Sequence, residues 1–124
     1  MRGLAFWFFA SAALYVAAGM IFGIYMSISQ DHSLSPVHAH LNLVGWVTMA
    51  IFGIYYHLVP EAAESRLARL HFILATIGLW LIVPGIALAI RGQTEALAAI
   101  GSLATLGSML LFIFIVVRSR RPAI

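Results

Sequence analysis

Cysteine and lysine are both missing from this chain, and only 9% of its 124 residues carry a charge. Without cysteine there are no disulfides, iron–sulfur clusters or thiolate metal sites, so any metal chemistry falls to histidine. With 63% of residues hydrophobic, too few polar side chains remain to coat a water-soluble domain of this size. Lipid is therefore the expected solvent. In hydrocarbon every backbone amide needs an internal partner, which leaves helices or a closed barrel. The apolar runs are long and nearly continuous and lack the short alternation of barrel strands, so helices are expected. The formal charge of +3 does not signal nucleic acid, because all seven basic residues are arginines that flank apolar runs instead of forming a stripe.

What is present is a single all-α transmembrane domain, 1–124, with four expected helices at about 3–28, 36–60, 70–90 and 96–117. The first run is uncharged and long enough to span, and reads as a retained helix and not as a cleaved signal peptide. A polar stretch from Ser29 to Ser35 ends it, and Ser35-Pro36 has the form of a cap followed by a first-turn proline. The segment Glu61 to Arg69 is the most polar connection and is expected to be helical at the interface, with Glu61 and Glu64 forming ion pairs with Arg66 and Arg69. Pro84-Gly85 predicts a kink in the third helix, and Arg91 to Glu95 make the last turn. Arg2, Arg66, Arg69, Arg118, Arg120 and Arg121 flank one face of this four-helix bundle and Arg91 the other, which predicts both termini on the cytoplasmic side. The two hairpins share no sequence repeat. Gly19 and Gly23 form a GxxxG that suits close packing within the chain or a dimer contact equally well.

Five histidines among so few polar residues are the chemical signal, since an ionisable group at membrane depth is costly and usually has a partner. His32 lies in the outer loop and reads as a solvated residue. His38 and His40 are near the outer end of the second helix, two apart, so they point roughly 200° from each other and cannot chelate one ion together. The His38 face continues through Asn42, Gly45, Met49, Gly53 and Tyr56, the small and polar side that belongs inside a bundle. The His40 face continues through Val44, Val47, Ile51 and Ile54, which suits lipid or an apolar macrocycle. Haem b fits such a setting, because it asks for axial imidazoles and for glycines that leave room near the ring. Read from spacing alone, an interfacial pair that caps or wets the helix end is the simpler account of the two histidines. His57 and His71, from the facing ends of a hairpin, are candidates for a second site or for ordinary interfacial hydrogen bonding.

The stretches His38-Ala39-His40-Leu41-Asn42-Leu43-Val44-Gly45-Trp46 and Gly53-Ile54-Tyr55-Tyr56-His57-Leu58-Val59-Pro60-Glu61 resemble the second transmembrane helix of the catalytic subunit of the haem-copper oxidase superfamily, nitric oxide reductases above all. In that family this helix enters from the outer side and carries a ligand to the low-spin haem near its start. Spacing back from Tyr55-Tyr56, and the small-residue face, slightly favour His38 as the equivalent. The local pattern His40-Leu41-Asn42-Leu43 favours His40, so both are carried as axial-ligand candidates. Asn42, Gly45, Trp46, Met49 and Gly53 are the expected neighbours of the haem.

The resemblance covers about a fifth of the chain. The family's catalytic subunit has many more helices, and those bearing its remaining haem ligands and its copper or iron ligands have no counterpart here, so no copper site is evident. The resemblance thus implies a b-type haem protein of the bacterial inner membrane, engaged in electron transfer or diatomic-gas or haem sensing and not a complete oxidase. A bis-histidine site could form by pairing two chains, which implies a homo-oligomer or membership of a larger respiratory complex. Within one chain, Met20 or Met26 could be a sixth ligand. The alternative is a non-haem accessory or assembly subunit of a respiratory complex. A transporter or channel would want charged groups at mid-membrane, and there are none.

Overall fold

The computed structural model describes residues 1–122. Four helices are long and apolar enough to cross a membrane: α1 (Gly3–Ser29), α2 (Ser35–Leu58), α3 (Arg66–Ile90) and α4 (Ala96–Arg118). Among the described residues there is no strand. Each helix ends where the local chemistry requires. The first stops at Gln30, which takes a left-handed conformation with φ 58°. The second stops at Val59, which precedes Pro60 and is held out of the helical region at φ −126° and ψ 72°. One short turn of helix follows at Pro60–Ala63.

The expected interfacial helix over 61–69 is thus divided between that turn and α3. The third span begins at Arg66, earlier than the expected residue 70, because the Ser65 hydroxyl accepts from the Ala68 amide at 3.1 Å and caps it. Ser35 does not cap α2 as expected; its hydroxyl donates to the His32 carbonyl at 2.8 Å. Pro84 lies inside an unbroken α3, where it removes the hydrogen bond to the Trp80 carbonyl.

The spans pack as two antiparallel hairpins. In the first, Gly19 and Gly23 of α1 lie under Asn42 and His38 of α2, so the GxxxG serves packing within the chain. At the other end Gly53 of α2 rests on the backbone of α1, where an added Cβ would stand 3.0 Å from the Phe9 nitrogen. In the second hairpin Gly78 and Gly85 of α3 face Thr105 and Ala98 of α4, and Gly101 of α4 faces Ile82 of α3. The hairpins meet through an aromatic core near the arginine-rich end, built from Phe8, Phe52, Tyr56, His71 and Phe112, with buried Ile115 beside it. Leu14, Ile21, Leu103 and Leu110 are exposed, as residues facing lipid are.

The second helix is not α-helical throughout. Leu41–Thr48 is a π-helix, an eight-residue segment whose backbone hydrogen bonds reach five residues back instead of four. The Thr48 hydroxyl donates to the Leu43 carbonyl five residues back, at 2.8 Å. The wider turn rotates everything after it relative to His38 and His40.

Candidate functional site

The first turn and a half of α2 aims its two histidines apart. His38 faces α1: its Nε2 is 3.1 Å from Asn42 Nδ2, and a Cβ on Gly23 would stand 3.1 Å from the same nitrogen. An amide nitrogen can only donate, so the His38 Nε2 lone pair is already engaged. Asn42 lies against Gly19 so closely that its Oδ1 fills the space a Cβ would need. Gly45 packs on Tyr15 and Leu79, and Trp46 meets Phe9 with ring centroids 6.1 Å apart. His38, Asn42, Trp46 and Gly53 therefore belong to the seam with α1, and Gly45 to a close contact between α1 and α3.

His40 faces the other way. Its Nδ1 is 2.8 Å from the Pro36 carbonyl oxygen. A carbonyl only accepts, so Nδ1 carries the proton and Nε2 keeps its lone pair. The residue lines a groove of about 390 Å³ with Val44, Met49 and Phe52 of α2 on one wall and Thr105 and Met109 of α4 on the other. Ser102, Leu106 and Met109 are exposed, so the groove opens to the membrane. The Thr105 hydroxyl lies against Gly78 in the α3–α4 seam, buried without a hydrogen-bond partner. Of the expected neighbours of a cofactor, Met49 alone shares this groove with His40. Val47, Ile51 and Ile54, expected on the same face as His40, are exposed.

The pair His57 and His71 is not brought together. His57 is exposed, whereas His71 is fully buried. The Tyr56 hydroxyl is 2.8 Å from His71 Nδ1, and His71 Nε2 has no hydrogen-bond partner. Phe8, Phe52 and Phe112 enclose the imidazole, with centroids 5.2, 4.4 and 5.4 Å away. The signal for this burial was in the sequence, since His71 stands in the three-and-four spacing of Ala68, Ala75, Gly78, Ile82 and Gly85. Among the described residues no group of three or more potential metal-ligating side chains is assembled.

The expected ion pairs of Glu61 and Glu64 with Arg66 and Arg69 are not formed. Among the described residues the ion pair is between Glu61 and Arg121, both largely exposed. Compared with protein-family models, curated proteins and solved structures, the chain matches none.

Proposed function

We propose that this chain binds haem b in the groove beside His40 and serves as an electron-transfer or diatomic-gas-sensing protein of a bacterial inner membrane, with both termini cytoplasmic. The observation that carries the reading is the state of His40: Nδ1 is held by the Pro36 carbonyl, and the imidazole lines an apolar groove with its Nε2 lone pair uncommitted. A ring nitrogen hydrogen-bonded in this way fixes the tautomer and raises the basicity of the other nitrogen, as metal-ligating histidines generally require. The lining fits the cofactor: one imidazole with an uncommitted nitrogen and an apolar wall of Val44, Met49 and Phe52. His38 is the weaker candidate because Asn42 already uses its Nε2.

Haem b, when bound, would supply one-electron chemistry and an iron able to take a diatomic ligand. The residues of the chain bear on which. At about 1.5 Å per residue, His40 lies roughly 8 Å along α2 and Ser102 roughly 9 Å along α4, whereas Met109 is about 20 Å along. Ser102, which shares the groove with His40, donates its hydroxyl to the Ala98 carbonyl at 2.7 Å and is a poor ligand for ferrous iron. With haem bound, His40 would be the chain's one strong ligand at this depth, and a gas molecule or a histidine of a second copy would complete the iron's coordination.

Purified full-length chain, expressed with ample haem, should show a Soret band with reduced α and β peaks. His40→Ala should abolish it and His38→Ala should keep it. A carbon monoxide shift of the reduced spectrum separates an open sixth position from a bis-histidine dimer. A colourless wild-type preparation would sink the proposal in favour of a non-haem accessory subunit. Loss of haem from His38→Ala alone would move the ligand to His38.

A further inference from the structure

We infer that the arginine-rich end of the α3–α4 hairpin binds the phosphate of an anionic phospholipid. A second cavity, of about 440 Å³, opens where α3 begins and α4 ends. Arg66 from the start of α3 and Arg118 from the end of α4 line it, with Ser65 and Ser119 beside them. Buried Ala62 and Ile115 contribute apolar lining. The acidic residue in the lining, Glu61, is paired with Arg121. Among the described residues neither Arg66 nor Arg118 is paired with a carboxylate. The Ser65 hydroxyl is committed to the Ala62 carbonyl at 2.8 Å, so the cavity presents two guanidinium groups and the Ser119 hydroxyl, a donor set suited to a phosphate, which arginine can bind in bidentate fashion.

The position of the cavity selects a lipid over a free anion. Residues four apart on a helix lie on one side of it, so Leu70 and Phe114 stand one turn inward of Arg66 and Arg118 on the same helix faces. Both are exposed. A phosphate between the arginines would sit at headgroup level with its acyl chains along this apolar strip. Basic cavities between transmembrane helices suit anionic headgroups in this way. The inference is independent of the haem proposal, because it involves the opposite end of the bundle.

Native mass spectrometry of the full chain, released from micelles containing equal amounts of phosphatidylglycerol and phosphatidylcholine, reads the site directly. One phosphatidylglycerol should remain bound per chain, in excess over phosphatidylcholine. Arg66→Gln or Arg118→Gln should each lower its retention about fivefold, and the double variant about twenty-fivefold. Arg69→Gln, a neighbouring arginine outside the cavity, should leave it unchanged, and the Arg66→Lys/Arg118→Lys variant should retain more than the double glutamine variant. Helical circular dichroism checks that each variant is folded. Equal retention of the two lipids, an equal loss in Arg69→Gln, or full retention in the double glutamine variant would overturn the inference. Displacement of the lipid by millimolar inorganic phosphate would reassign the cavity to a free anion and overturn the choice of lipid.

Discussion

Replacing Gly101 with alanine tests how closely α3 and α4 are joined. A Cβ at this position would stand 2.5 Å from the Ile82 nitrogen, 2.8 Å from its Cα and 2.9 Å from the Leu81 carbonyl carbon. These are backbone atoms, so no rotamer change can make room. Reaching an ordinary contact of about 3.5 Å requires the helices to part by roughly 1 Å. At Gly85 too the backbones leave no room for a Cβ, which would stand 2.5 Å from the Ala98 nitrogen, so parting the helices at Gly101 also opens this contact. Overpacking of this kind costs about 1–3 kcal/mol, and a gap of 0.5–1 Å forfeits about a quarter to a half of the dispersion energy of the contacts that open. Against that, alanine gains about 1 kcal/mol over glycine in helix propensity. The expected net loss is about 2 kcal/mol.

Gly107→Ala on the same helix is the matched control. Its Cβ would meet Leu74 Cδ2 at 3.6 Å, an ordinary contact, so the propensity gain should show as stabilisation of up to about 1 kcal/mol. Reversible unfolding in mixed micelles, followed by circular dichroism against the fraction of denaturing detergent, should separate the two variants by about 3 kcal/mol. If Gly101→Ala proves as stable as Gly107→Ala, the close approach of these backbones is wrong.

Two further outcomes are expected. Tyr56→Phe removes the partner of His71 Nδ1 and leaves both ring nitrogens buried and unpaired, which should cost about 1–3 kcal/mol in the same assay. The double variant Tyr56→Phe/His71→Phe should recover much of that loss, and a double variant as weak as the single one would argue against the hydrogen bond as the cause. In the loop after α1, the Ser33 amide donates to Asp31 Oδ1 at 3.0 Å, and with the Ser33 hydroxyl and a smaller influence of Arg91 it holds this carboxyl below its ordinary value of 3.8. A lowered value means the contribution is complete above pH 3.8 and fades as the pH falls through the folded value. Asp31→Asn should therefore show a slightly smaller drop in melting temperature between pH 6 and pH 3 than the wild type. Identical drops would remove Asp31 from the acid response.

The four spans were legible because lipid as solvent imposes one strong rule, and long uncharged runs between arginines satisfy it without help from tertiary structure. The small-residue faces were legible for a related reason: Gly19, Gly23, Gly45 and Gly53 can serve close helix contacts only if they point inward. His38 and Asn42 lie on such a face, which is why the reading of that side as interior holds. The π segment was not legible, and the burial of His71 was legible only in part. Leu41–Thr48 contains no residue type that demands a wide turn. The burial of His71 was obscured by its position one turn from Arg66, where an interfacial role was the simpler expectation. Its enclosure comes from Phe8, Phe52 and Phe112 on three other stretches of chain, a convergence that only the fold creates.

The wide turn in α2 sets the phase between two jobs done by one rod. Above it, the rod must offer His38 to α1 and His40 to the groove; below it, the same rod must deliver Tyr56 to His71. A uniform α-helix advances about 100° per residue. The wide turn already holds one residue more than an α-helix of the same phase, so a single deletion within 41–48 would close it to ordinary α-helix with the phase kept, whereas a single insertion in the α-helical turns below it would turn one end against the other by about that angle. After such an insertion the polar lock at one end and the aromatic one at the other could not both close, so the rod should tolerate a shortened wide turn far better than a lengthened α-helical stretch.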